Sequence, residues 1–112
     1  MEISSRTEGQ LLVVSVHEPR IDAAAAISFK DAMRPLLSDG HPSVVVDLQE
    51  VGFIDSSGLG AIVATFKSLG PGRSMALAGL APAVQQVFSL TRMDTVFRLF
   101  PTLDRALGAL EA

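Results

Sequence analysis

The chain has 112 residues, nine Lys and Arg against twelve Asp and Glu, a formal charge of −3, and no cysteine. That length supports one domain burying roughly two-thirds of the surface its unfolded chain would expose, and the acidic balance offers no broad positive face for nucleic-acid phosphates. The missing cysteines exclude disulfides, thiolate zinc sites and thiol redox chemistry, and suit a reducing compartment.

Hydrophobic residues make up 48% of the chain, yet only six Phe and no Trp or Tyr supply rings, so the core has to be aliphatic and stacking platforms are scarce. The opening MEISSRTEGQ lacks the charged-then-apolar pattern of a signal peptide, and no apolar run reaches the length of a membrane span. A soluble, cytoplasmic protein without membrane contact is the expectation.

In chain order, Ile3, Ser5 and Thr7 alternate with Glu2, Ser4 and Arg6, then Glu8-Gly9 supplies a turn before the strand-like LLVVSV that ends at Val16. A β-hairpin follows from that pattern. Pro19 ends its second strand, and Asp22 is placed to cap a helix beginning in Ala23 to Ala26, with Ala26, Phe29, Met33, Leu36 and Leu37 as its buried stripe. Pro35 inside the stripe predicts a kink or an early change to looser turns, and Gly40 stops the helix.

Val44, Val45, Val46 and Leu48 form an unbroken β-branched and aliphatic run, the mark of a strand covered on both faces in a parallel α/β sheet. Asp55, Ser56 and Ser57 follow, all of them helix-capping types. Behind them Leu59, Ile62, Val63 and Phe66 give the next helix one apolar side. After the break Leu69 to Gly72, Met75 to Leu80 reads as a second buried strand reached by a right-handed β-α-β crossover. Pro82 opens a third helix with Val84, Val87, Phe88 and Met93 inward, Val96 to Phe100 is a last short strand, and Pro101-Thr102 opens a final helix bearing Leu103, Ala106, Leu107 and Leu110. The result is a single α/β domain over residues 1–112, with a sheet of four to five strands and about four helices.

Of all these stretches, Val44 to Gly60 has the most chemical content. A strand delivers two serine hydroxyls to the mouth of a helix, where unpaired N–H groups and a partial positive charge favour an anion such as phosphate. Simple capping by these residues is the alternative. Gly58 and Gly60 each cost about 1 kcal/mol relative to alanine inside a helix, which implies a close neighbour, either the domain's own sheet or a partner.

Enzymatic readings fit less well. The third glycine of G-x-G-x-x-G would fall at Val63, no P-loop occurs, and Ser56 has only half of a G-x-S-x-G elbow. A receiver-type phosphoaspartate module would need an acidic pair after the first strand, where only Glu18 and Asp22 are at hand. His17 and His41, the only histidines, stand in turn-rich contexts far from Ser56 in sequence and read as surface residues, so neither a metal site nor a cofactor is expected.

The segment VVVDLQEVGFIDSSGLGAIVATFK resembles the core motif of STAS domains, in particular the bacterial anti-sigma factor antagonists. The likeness extends through ALAGLAPAVQQVFSLTRMDTVFRLFPTLDRAL and to Asp22 ahead of the first helix. It implies a mixed sheet with helices packed mainly on one face. It also implies that Ser56, directly after the motif aspartate, is phosphorylated by an anti-sigma factor serine kinase, with a PP2C-type phosphatase reversing the step. Asp22, Asp55, Ser57, Gly58, Leu59, Gly60 and Ala61 are then the expected partner contacts, and the unphosphorylated form binds the anti-sigma factor and frees its sigma factor. A STAS scaffold in a stressosome-like or transporter assembly, with Ser56 incidental, is the rival within the fold. Two departures stand out: four alanines after Asp22 where the family is more polar, and Arg92 where it tends to have glycine, a position strained if φ is positive.

Overall fold

The chain opens with the expected hairpin, β1 (Ile3–Glu8) antiparallel to β2 (Leu11–Val16). Its turn lies one residue later than the sequence suggests, because Glu8 still pairs with Leu11 and Gly9, at φ 62°, reverses the chain with Gln10. The structure is a computed structural model that describes residues 1–110, so the far end of the expected domain, 111–112, lies outside the described residues.

Beyond the hairpin run β3 (Arg20–Ile21), α1 (Ala23–Leu37), β4 (Ser43–Asp47), β5 (Phe53–Ile54), α2 (Ser56–Lys67), β6 (Ser74–Ala78), α3 (Pro82–Leu90), a 3-10 turn (Met93–Thr95), β7 (Arg98–Phe100) and α4 (Leu103–Leu110). The main sheet has the order β1-β2-β4-β6-β7, with β2, β4, β6 and β7 parallel and β1 antiparallel at the edge. Helices α1, α2 and α3 are the crossovers between successive parallel strands.

Strand alternation sorts the core into two layers. Leu12, Val14, Val16, Val44, Val46, Met75 and Leu77 face the layer that also holds Phe29 and Met33 of α1, Ile62 of α2, and Val84 and Phe88 of α3. Leu11, Val13, Val45, Ala76 and Ala78 face the other way, against Ala106 of α4. Three helices thus cover one side and α4 part of the other, which is why the central strand reads as apolar throughout.

Several local expectations shift for identifiable reasons. The α-helical pattern of α1 continues through Pro35 to Leu37 without loosening early; so close to the helix end a missing N–H removes a single bond, and Ser38 Oγ donates to Pro35 O at 2.7 Å. Strand β6 ends at Ala78, two residues before the expected Leu80, because Gly79 turns the chain at φ 72° against Asp47. Helix α3 ends at Leu90, so Met93 packs against the core from the 3-10 turn instead. Arg92 does occupy the left-handed region, at φ 62° and ψ 20°. The last strand is shorter than Val96 to Phe100: Val96 is exposed, while Phe97 plunges into the core ahead of Arg98–Phe100.

The two-residue strands β3 and β5 were not legible beforehand. They pair in parallel as Arg20↔Phe53 and Ile21↔Ile54, forming a small second sheet just after the carboxyl ends of β2 and β4. Both histidines are half-buried; the ring of His17 is hydrogen-bonded, while His41 is contacted through its backbone carbonyl. Arg73 Nε donates to the His41 carbonyl at 2.8 Å and its Nη2 to Leu37 O at 2.9 Å, while His17 contacts Ser4 and Glu50.

Phe97 joins the helical layer to the last strand, with its ring 5.2 Å from Phe66 and 5.9 Å from Phe88, both edge-on. Removing so buried a ring leaves a cavity between α2, α3 and β7. Phe97→Ala is expected to lower the unfolding free energy by about 3–5 kcal/mol, as measured by urea titration; a loss below about 1 kcal/mol would contradict this packing.

Candidate functional site

The small sheet explains how the site is assembled. Ile21 and Ile54 are buried neighbours, so the residues immediately after them, Asp22 and Asp55, emerge side by side at the start of two adjacent helices. Each is an N-cap in extended conformation: Asp22 Oδ1 accepts from Ala25 N at 3.1 Å, and Asp55 Oδ1 accepts from Gly58 N at 2.9 Å. The expected cap at Asp22 is present, and of the three candidates before α2 it is Asp55 that caps.

Asp55 does more than cap its own helix. Its second oxygen, Oδ2, accepts from Ala23 N at 3.2 Å, the first residue of α1, so one carboxylate ties the mouths of α1 and α2 together. Two helix N-termini side by side bring two partial positive charges of about half a unit into proximity, and a shared anion offsets that repulsion. Arg20 Nε lies 3.4 Å from Asp22 Oδ2, and the same guanidinium stacks 4.3 Å above the Phe53 ring, which lashes β3 to β5.

Ser56 and Ser57 occupy the first turn of α2 and are both exposed. Capping falls to Asp55, which leaves the hydroxyls of these serines without a hydrogen-bond partner among the described residues. The bland reading of the junction, in which a serine serves only as the cap, thus does not describe it. Gly60 is exposed with open space around it, whereas Gly58 and Ala61 are buried and Leu59 is half-buried against the core. Gly58 and Ala61 therefore present no side-chain surface of their own. A Cβ on Gly58 would lie 1.9 Å from Ile21 O, so its close neighbour is the backbone of β3. Of the two explanations offered for the glycines, the domain's own structure accounts for Gly58 and leaves Gly60 free.

Sequence reading singled out the alanines after Asp22 but missed the exposed Ile27 and Phe53 beside them. Ala23, Ala24 and Ile27 are exposed on α1, Ile27 at 66%, and Phe53 is exposed at 40%. A hollow of about 320 Å³ beside Asp22 is lined by Pro19, Arg20, Ala24, Ala25 and Ser28, among others. The signal was present in the repeated dipeptides Ile21-Asp22 and Ile54-Asp55, each a buried residue followed by a cap. Among the described residues no group of His, Cys, Asp and Glu could hold a metal ion, and no helix is long and apolar enough to cross a membrane.

These features define a class: an α/β domain that exposes, beyond its strand ends, two paired helix mouths with two serine hydroxyls at one of them. The family model for the STAS domain matches residues 2–106, and the chain belongs to that family. It is 30% identical over 87 residues to the anti-sigma-F factor antagonist RsfB of Mycobacterium tuberculosis, covering 78% of this chain and 71% of that protein. It is 25% identical over 100 residues to an anti-sigma-B factor antagonist of Staphylococcus aureus, covering 88% and 92% of the two chains. The crystal structure of an anti-sigma factor antagonist from Mycobacterium paratuberculosis superposes with a TM-score of 0.87 at 33% identity, covering 99% of this chain and 96% of that one. Family and mixed five-stranded fold agree with the resemblance read from the motif.

The shared carboxylate yields a graded test. Asp55→Ala removes both charge-assisted bonds and is expected to cost about 2–3 kcal/mol, against about 1 kcal/mol for Asp22→Ala. Asp55→Asn should fall between them, since an amide can accept from Gly58 but turns its own N–H groups toward Ala23. Equal costs for all three in chemical denaturation would refute the bridge. In the same assay Gly58→Ala should lose about 3 kcal/mol or more, while Gly60→Ala should gain about 0.5–1 kcal/mol.

Proposed function

We propose that this chain is an anti-sigma factor antagonist whose switch is phosphorylation of Ser56. Residues 1–112 act as one STAS unit in the cytoplasm. Unphosphorylated, the domain docks on an anti-sigma factor kinase and frees a sigma factor; phosphorylated, it lets go until a PP2C-type phosphatase restores it. The observation that carries this reading is the state of Ser56: its hydroxyl is exposed at the mouth of α2 and relieved of capping by Asp55. The names of the relatives above supply the partner class.

The proposed contact surface comprises the exposed parts of Asp22, Asp55, Ser56, Ser57, Leu59 and Gly60, joined by Ala23, Ala24 and Ile27 on α1. Gly58 and Ala61 support it from beneath by letting α2 approach β3 and the core. The alanines following Asp22 make the α1 side of this surface low and apolar.

Magnitudes indicate where the phosphate acts. A charge of about −1.5 to −2 at an exposed helix N-terminus stabilises by roughly 0.3–1 kcal/mol. Asp55 next to it repels on a similar scale, so the folded state barely changes. Covering an uncompensated dianion with a partner costs several kcal/mol, and every 1.4 kcal/mol is about a factor of ten in affinity. The interface term dominates, and the switch works by local charge and bulk instead of by refolding.

The test uses the cognate anti-sigma factor from the native host. Ser56→Asp should weaken binding by more than about tenfold, while Ser56→Ala binds as the unmodified protein does and takes up no phosphate from the kinase. Stoichiometric phosphorylation of Ser56→Ala would move the site elsewhere, with Ser57 next to examine. A partner set of scaffold or transporter subunits in a native pull-down, with Ser56 unmodified, would favour the rival STAS role.

A further inference from the structure

A second serine, unrelated to the helix mouth, lies in a hydrogen-bonded relay. Ser4 Oγ is 2.7 Å from His17 Nε2, and His17 Nδ1 is 2.7 Å from Glu50 Oε2. Because a carboxylate only accepts, Nδ1 carries the proton it donates to Glu50; in the neutral ring Nε2 then has its lone pair directed at the Ser4 hydroxyl. Nucleophile, base and orienting acid stand in the sequence of contacts that activates a serine for acyl transfer.

The relay is held in place by the fold. Ser4 is on β1, His17 directly follows β2, and Glu50 follows β4, so three neighbouring strands of the sheet each supply one member. The His17 backbone N–H donates to Glu2 O at 2.9 Å, adding a rung beyond the Ile3↔Val16 pair and fixing the imidazole relative to Ser4. The Glu2 N–H in turn donates to Glu18 Oε2 at 2.8 Å. His17 and Glu50 lie beyond the carboxyl ends of β2 and β4, the end of an open α/β sheet where ligands are usually received.

Beside Ser4 is a hollow of about 110 Å³ lined by Ser4, Ser5, Arg6, Val13 and Ser15. At about 30 Å³ per water it has room for roughly three to four waters, the size of an acyl group of two or three carbons. Arg6 on its rim pairs with Glu8 through Nε at 3.0 Å, a bond that does not use its two terminal amino groups.

We propose that Ser4 is a nucleophile for short acyl groups delivered by activated esters, with His17 as general base and Glu50 as the residue that positions it. Ser4 Oγ bonds to the acyl carbon as the carbon–oxygen bond to the leaving group breaks. The Ser4 proton passes to His17 Nε2 and from there to the leaving oxygen, giving acyl-Ser4 and free alcohol. Water activated by the same imidazole can then return the serine and release the acid. This reactivity is independent of the Ser56 reading, since the two serines share no residue.

The test is p-nitrophenyl acetate added to the full chain, with release of p-nitrophenolate followed and the acetyl group located by peptide mass spectrometry. The expected result is a burst stoichiometric with protein and an acetyl group on Ser4. The burst rate should fall about 100-fold or more in Ser4→Ala and His17→Gln. Glu50→Gln should lower it by more than about tenfold, with Glu50→Asp retaining more of the rate because the carboxylate is kept. A merely structural tie would tolerate Glu50→Gln, whose amide oxygen can still accept from Nδ1. Labelling the unaltered protein with a fluorophosphonate, which should also fall on Ser4, covers the case in which a variant does not fold. Acetylation confined to the amino terminus or lysines, no label on Ser4, or a rate unaffected by His17→Gln or Glu50→Gln overturns the proposal.

Discussion

The arrangement of the whole functional end depends on one carboxylate, that of Asp55, shared between two helices. Parallel crossovers place α1 and α2 next to each other on the same side of the sheet, both pointing the same way, so their positive ends meet. Without an anion there, packing of the apolar stripes would work against the electrostatics of the helix mouths. Asp55 resolves this by accepting from Gly58 N and Ala23 N at once, and Asp22 adds a second negative group a residue away from the small β3–β5 sheet. The carboxylates take over the capping, and Ser56 and Ser57 are left free for other chemistry.

The same constraint explains the local sequence. Gly58 has to lack a side chain because α2 enters against the Ile21 carbonyl, and Ile21 and Ile54 have to be buried so that the residues after them emerge at the surface together. Gly60 answers to no such requirement: open space surrounds it, and its helix-destabilising cost of about 1 kcal/mol has no compensation inside the domain. Its place is the open side of α2, on the contact surface proposed above.

Much of this was legible in the amino-acid order because elements with strong periodicity obey local rules. The apolar run Val44 to Val46, the stripe on α1 and the cap at Asp22 follow from patterning and capping preferences, and the structure has them where the sequence puts them, whereas at α2 the sequence offered Asp55, Ser56 and Ser57 alike and the structure uses Asp55. What escaped was held by pairs distant in sequence. Strands β3 and β5 are two residues each and have no periodicity to read; they exist because Arg20 and Ile21 meet Phe53 and Ile54. His17 looked idle for the same reason, since its partners Ser4 and Glu50 lie 13 and 33 residues away along the chain. The exact ends of α3 and β7 depended on a left-handed residue at Arg92, whose consequence for register no propensity encodes.

One end of this sheet therefore holds serine hydroxyls in two environments with different physical bases. Ser56 sits in the field of a helix mouth, which favours an added anion but provides no base, so the phosphorylation proposed there would take its chemistry from a separate kinase. Ser4 has an imidazole within hydrogen-bond distance and sits on an edge strand with no helix dipole, surroundings that fit the attack on a carbon centre proposed above better than they fit holding a phosphate. The division follows from topology. Residues after strands that lead into α1 and α2 inherit helix electrostatics, whereas residues around the antiparallel edge strand β1 inherit only what their cross-strand neighbours provide. A single layer of parallel strands, extended by one hairpin, is enough to produce both environments.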